Sequence, residues 1–245
     1  MDLFDQIPVG GWYTRATLMR LLAPSELPDW ADRALLIDSD VVVADDLSHL
    51  MQAGRDGRLL TAVENFSGPT VATSLPRLYE ELGLDPETSY FNAGVMALDL
   101  KRWRTEHVTE RVIAFLDRYG DRVDFLEQDA LNAVVAGDYE ALLPRWNVQL
   151  LTLPYFGPPA AQGEERRRLQ DRLLWEAGIL HFAGPRKPWH WRYGGPRADA
   201  FYRAVRRSGW FSAPAYWAWA LSHRASHFVF RQLSGAKRIV SGAKA

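Results

Sequence analysis

The chain has no cysteine among its 245 residues, which excludes a disulfide framework, a thiolate metal site and a cysteine nucleophile. It has no stretch approaching the roughly 20 apolar residues that a membrane-spanning helix needs. The opening MDLFDQIPVGG places acids and a proline where a secretory leader would be basic and then apolar, so a cytosolic chain is expected. No internal repeat or low-complexity linker interrupts it. Acids are also absent after Asp199. Residues 200–245 therefore carry a formal charge of +8, from Arg203, Arg206, Arg207, Arg224, Arg231, Lys237, Arg238 and Lys244, and residues 1–199 carry −9.

What is present is a body rich enough in apolar residues, at 47% hydrophobic, to bury a sizeable core. The one boundary falls near Ser208, giving a domain at 1–207 and a tail at 208–245. That tail mixes its cations with Trp210, Phe211, Tyr216, Trp217, Trp219, Phe228 and Phe230. Such a mixture suits attachment to an anionic membrane surface; it equally suits a terminal helix pair closing over the core. Nucleic acid is disfavoured as a partner, because the acidic body repels a phosphate backbone.

The pattern alternates between strand and helix, which indicates an α/β class. Strands are expected at 34–37, 41–43, 59–63, 91–98 and 179–182. Helices are expected at 17–22, ending at Pro24, near 75–82, over 108–119 with Gly120 as the stop, through Leu131 to Gly137, and over 164–177.

Asp38 and Asp40 end the apolar run Ala34, Leu35, Leu36, Ile37. Residues two apart on a strand face the same way, so LLIDSD presents two carboxylates together, as a divalent cation requires. Taken alone, the pair reads first as solvated acids that end a strand. A second segment, HFAGPRKPWHW from His181 to Trp191, spaces His181, Gly184 and Lys187 three apart in a loop held by Pro185 and Pro188. Glycine lets a backbone approach a diphosphate and lysine supplies a fixed cation. A neutral imidazole joined to two carboxylates suits Mn²⁺ better than Ca²⁺.

With TRATLMRLL, LLIDSDVVVADDL, YFNAGVMALDLKRWR, LEQDALNAV and LPRWNVQ added in order, the chain resembles the retaining glycosyltransferases of family 8, especially the bacterial lipopolysaccharide galactosyltransferase and glucosyltransferase branch that is distantly similar to glycogenin. The resemblance implies a GT-A fold with a mixed, mostly parallel sheet flanked by helices. It implies that Asp38, Asp40 and His181 hold Mn²⁺ and that Gly184 and Lys187 contact the diphosphate of a UDP-sugar. Arg20, Asn92 and Gly94 would line the donor sugar. Gln128 would lie below the anomeric carbon, with Glu127 and Asp129 binding sugar hydroxyls or ordering the site; many relatives have Asp where this chain has Glu127.

The implied activity is transfer of a hexose, galactose or glucose, to a glycan or glycolipid acceptor, with the chain at the cytoplasmic membrane face. Gln128 is an amide and a poor nucleophile, which favours same-face substitution over double displacement. Relatives carry a further βαβ stretch before the MRLL helix, whereas 19 residues precede Arg20 here: either the start is assigned too late, or a sheet short of edge strands and an incomplete base pocket are expected. The other class consistent with these motifs is a non-catalytic protein that binds nucleotide sugars.

Overall fold

A computed structural model of the chain describes residues 18–53, 57–76, 78–158, 160–161, 163–190, 193, 195–210, 212, 215, 218, 219, 221 and 222. Its strands are β1 (Arg33–Ile37), β2 (Val41–Val43), β3 (Leu60–Glu64), β4 (Phe91–Asp99), β5 (Tyr139–Ala141), β6 (Val148–Gln149) and β7 (Ile179–His181). Its α-helices are α1 (Ala23–Glu26), α2 (Ser48–Gln52), α3 (Val71–Ser74), α4 (Leu100–Thr105), α5 (Val108–Tyr119), α6 (Leu126–Val135), α7 (Gly163–Trp175) and α8 (Ala198–Ser208).

Among the described residues two sheets form, in the orders β1-β4-β3-β5 and β2-β7-β6. They are mixed, as expected, but not mostly parallel. The β1–β4, β3–β4 and β2–β7 pairs are antiparallel, and β3–β5 and β6–β7 are parallel. A parallel pair needs a long crossover. Between β6 and β7 that crossover is α7, and between β3 and β5 it is the whole stretch holding α4 to α6.

β4 is central in its sheet, buried nearly throughout, and it reads as a continuous apolar run because both faces are covered. Met96 and Leu98 face the main core, formed with α4, α5 and α6 through Leu100, Trp103, Val112, Leu116 and Leu131. Val95 joins Val63, Trp146 and Ile179 in a smaller core linking the two sheets. Against β3, β4 slips register: Ala62 pairs with Met96, yet Val63 pairs with Asn92. Residues 93–95 thus bulge out of the β3 ladder, which frees main-chain groups for other work.

Two helix expectations shift. The turn at Arg20–Leu22 does not stop at Pro24, because Pro24 sits in the first turn of α1, where a missing N–H costs nothing. The helix expected near 75–82 lies earlier, at α3, where Thr70 and Thr73 form a capping box; residues 75–82, position 77 aside, form turns. α8 ends at Ser208 with Gly209 in the left-handed region, at φ 72°. Most of the tail lies outside the described residues. Of those described, Trp219 packs on Phe201 and Tyr202, with ring centroids 6.3 and 5.3 Å apart, and Trp210 is exposed. No helix among the described residues is long and apolar enough to cross a membrane.

The segment carrying Arg20 is stapled to the body by Arg104 of α4. Its guanidinium donates to the carbonyls of Pro24, Leu27, Pro28 and Ala31 at 2.9–3.2 Å. Thr109 adds a bond from its hydroxyl to the Leu21 carbonyl at 2.8 Å.

Candidate active site

The turn from β1 of the first sheet to β2 of the second delivers Asp38 and Asp40, and β7 of the second delivers His181. The chain thus brings the three expected metal ligands together, with one ligand atom from each all within 4.8 Å of one another. His181 Nε2 lies 3.5 Å from Asp38 Oδ2 and 3.4 Å from Asp40 Oδ1. Two carboxylate oxygens and one imidazole nitrogen form a donor set for a borderline divalent ion.

Two cations sit against the acids. Lys187 Nζ donates to Asp40 and, at 2.9 Å, to the Phe182 carbonyl, which folds the 182–187 loop back over the acids. Burial pushes the Asp40 carboxyl up, but His181, when its ring is protonated, and Lys187 outweigh it and hold the group well below the usual carboxylate range. The loop turns at Gly184, where φ is +88°, a left-handed conformation that favours glycine.

Arg20 bridges the acid pair to the EQD segment: it pairs with Asp38 and Glu127, and donates to the Ala93 carbonyl at 2.9 Å. Glu127 is buried, and its Oε2 has no hydrogen-bond partner among the described residues. Burial raises its carboxyl from the ordinary 4.5 to about 7; Arg20 opposes this rise and Asp38 reinforces it. A native carboxyl with a raised pKa binds its proton more tightly than in the unfolded chain. Its contribution to stability is therefore full below pH 4.5 and lost as pH climbs through about 7. Urea denaturation at several pH values is expected to show Glu127→Gln gaining on the parent chain across that window, by up to about 3 kcal/mol, with no further gain above it.

The EQD segment is set by backbone as much as by side chains. Leu126 opens α6 at φ 30°, an uncommon conformation for a non-glycine residue. Asp129 stabilises that turn by accepting from the N–H groups of Asp124 and Phe125 at 3.0 and 2.8 Å. Gln128 presents its oxygen to Asn92 Nδ2 at 3.0 Å and to the Ala93 N–H at 3.1 Å, and its Nε2 donates to the Tyr90 hydroxyl at 3.2 Å. Gly94 lies under the His181 ring: a Cβ there would be 2.3 Å from Cε1 and 2.7 Å from Nδ1. Gly94 thus lets the imidazole approach the strand.

Two residues of the cluster were not singled out by the sequence. Asn147 ends the Pro144–Asn147 turn, fully buried, with its Oδ1 2.9 Å from His181 Nδ1 and its Nδ2 2.8 Å from Asn92 Oδ1. Tyr90 joins Gln128 to Asp129 through its hydroxyl. Asn147 lies within the noted stretch LPRWNVQ, but a lone asparagine in a turn carries no signal of its own. Tyr90 reads as one more apolar residue before a strand.

The sequence matches the profile of the family described as "Glycosyl transferase family 8" over residues 8–192. The chain belongs to glycosyl transferase family 8. General stress protein A of Bacillus subtilis is 30% identical to this family 8 chain over 213 residues, covering 85% of it and 71% of the relative. The lipopolysaccharide 1,2-glucosyltransferase of Escherichia coli is 29% identical over 212 residues, covering 85% of this chain and 59% of its own. The lipopolysaccharide 1,3-galactosyltransferase of Salmonella typhimurium is 24% identical, covering 81% and 56%. The chain thus spans between about half and seven-tenths of these relatives. Among solved structures, the galactosyltransferase LgtC, in complex with donor and acceptor sugar analogs, superposes with a TM-score of 0.68 at 24% identity, covering 87% of this chain and 74% of that one. The fold of this family 8 chain is GT-A.

Proposed function

We propose that this chain is a metal-dependent retaining glycosyltransferase that moves galactose or glucose from a UDP-sugar to a glycan or glycolipid acceptor, in the synthesis of cell-surface polysaccharide or lipopolysaccharide. The observation that carries this reading is the convergence of Asp38, Asp40 and His181 within 4.8 Å, with Lys187 on Asp40. The names of the lipopolysaccharide hexosyltransferase relatives support the donor and acceptor classes. The three residues fit a divalent ion such as Mn²⁺ in number, spacing and donor chemistry. When bound, such an ion would supply electrophilic stabilisation of a diphosphate leaving group.

The chain's own residues do the rest. Lys187 places a fixed positive charge beside Asp40, where charge developing on a departing diphosphate is stabilised more in the transition state than in the ground state. Gly184 keeps the loop backbone open to the phosphates. Glu127 offers its unpartnered Oε2 as an acceptor for a sugar hydroxyl, with Arg20 holding the opposite oxygen. The Gln128 oxygen already accepts two hydrogen bonds, from Asn92 and Ala93, so both lone pairs are engaged. An amide held in this way is no nucleophile, which favours substitution on one face of the sugar.

UDP release from UDP-galactose and UDP-glucose, measured with and without Mn²⁺, tests the proposal. Metal-stimulated release supports it. Mn²⁺-dependent UDP binding without release would instead make the chain a binding protein for nucleotide sugars.

The aromatic and basic tail, 208–245, is read as a peripheral contact with the inner face of the membrane. The full chain is expected to float with anionic vesicles at low salt and to be released at high salt. Unchanged flotation on deletion of 208–245 would remove the tail from that role.

A further inference from the structure

Hydrogen-bond geometry alone leaves amide orientation and imidazole tautomer ambiguous. Here main-chain donors remove the ambiguity. The N–H of Gly94 points at one end of the Asn92 amide, 3.1 Å away, and the N–H of Ala93 points at one end of the Gln128 amide, 3.1 Å away. A main-chain N–H can only donate, so both of those amide atoms are oxygens. Asn147 approaches the same Asn92 oxygen and must present its NH₂ there, at 2.8 Å. Its oxygen is then the atom facing the His181 ring at 2.9 Å, and only a protonated Nδ1 satisfies it. A flipped ring would waste that oxygen on a C–H. The neutral imidazole therefore turns a bare Nε2 toward Asp38 and Asp40.

The polarity is consistent along the entire relay. His181 donates to Asn147, Asn147 to Asn92, Asn92 to Gln128, Gln128 to Tyr90, and Tyr90 to the buried carboxylate of Asp129. Reversing Gln128 or Asn92 would set donor against donor at the Ala93 or Gly94 N–H, and reversing Asn147 would set its oxygen against the Asn92 oxygen.

We propose that Asn147 is a positioning residue that fixes the Nδ1–H tautomer of His181, transmitting to the metal ligand an orientation set by the Ala93 and Gly94 N–H groups. Asn147 is itself locked in place. The Trp146 ring packs on Gly178, where a Cβ would lie 2.5 Å from Cζ3, and the Arg145 guanidinium lies over the Trp146 ring, 4.6 Å from its centroid. A histidine bound to metal through Nε2 typically has its other nitrogen hydrogen-bonded in this way, and loss of such a partner costs about 10- to 100-fold in metal affinity. The inference rests on the metal-site reading for that consequence, but the tautomer itself does not.

The test is nitrogen NMR of the imidazole rings in the full chain, at a pH above the histidine titration, with His181→Gln assigning the resonance among the six histidines. The parent chain is expected to show a protonated Nδ1 and a bare Nε2. Asn147→Ala, and Asn147→Leu as the variant that keeps side-chain volume, are expected to lose that state and to weaken Mn²⁺ binding, read by electron paramagnetic resonance, by about 10- to 100-fold. Asn147→Asp retains an acceptor for Nδ1–H and is expected to keep the tautomer, which a role limited to packing would not distinguish from Leu. An Nε2–H tautomer in the parent chain, or an unchanged Nδ1–H state in both the Ala and Leu variants, overturns the proposal. An Asn147-dependent tautomer in a chain without Mn²⁺ affinity would uphold it and sink the metal-site reading.

Discussion

Asp40→Ala is expected to lower metal-stimulated UDP release by at least about 10²- to 10³-fold, the scale on which losing one element of charge stabilisation acts. Asp40 is the acid most committed to the site. It faces His181 at 3.4 Å, it holds Lys187, and its ionised form is strongly favoured. The substitution removes a ligand and leaves the Lys187 ammonium with the Phe182 carbonyl as its remaining contact from this cluster. Metal loss and misfolding are separable by thermal denaturation. Mn²⁺ at about 100 times its dissociation constant stabilises a chain that binds it by about 2.7 kcal/mol, and the variant is expected to gain almost none of that. Asp171→Ala, at an exposed position on α7, is expected to retain both release and stabilisation. Full activity in Asp40→Ala would exclude the proposed metal centre.

Gly94→Ala is expected to produce the second-largest effect from the smallest chemical change, a single methyl. An added Cβ meets His181 Cε1 at 2.3 Å, His181 Nδ1 at 2.7 Å and Asn92 Oδ1 at 3.0 Å. The ring cannot yield cheaply, because it is buried and its Nδ1 is tied to Asn147. Overpacking of this kind costs about 1–3 kcal/mol, and the ring displacement is expected to weaken Mn²⁺ binding at least about tenfold. Gly83→Ala makes the contrast. Gly83 has φ +67° and nothing within 4 Å of its virtual Cβ, so the substitution costs about 1–2 kcal/mol of backbone strain with metal affinity unchanged. Calorimetric titration with Mn²⁺ beside urea denaturation of both variants separates the two costs.

The parts of the fold legible in the sequence are those long enough to show a period. β1, β3, β4 and β7 follow apolar runs, and α5 follows Val108, Val112, Phe115, Leu116 and Tyr119 at helical spacing, ending at Gly120 as expected. β5 spans three residues and β6 two, too few for any alternation to register. α3 is four residues held by a threonine capping box, a signal weaker than the apolar residues just after it, which drew the expected helix toward 75–82. In the site, Asp38, Asp40 and His181 were legible as a closely spaced acid pair and a Gly/Pro loop, although the acids lie in the turn between β1 and β2 rather than on one strand face. The relay was not. Its bonds join residues 34, 55 and 36 positions apart, and no local pattern reports a partner at that distance.

The register slip between β3 and β4 gives the site a reference that side-chain variation does not reach. With residues 93–95 out of the β3 ladder, the Ala93 N–H serves Gln128, the Ala93 carbonyl serves Arg20, and the Gly94 carbonyl takes the Asp38 N–H at 2.9 Å. These atoms are common to every amino acid except proline, which lacks the N–H. A substitution scan that truncates side chains one at a time will leave them in place and so will not register their contribution, whereas inserting or deleting one residue within 93–95 would shift every one of them at once. The side chains of the cluster can therefore be varied around a frame written in main chain.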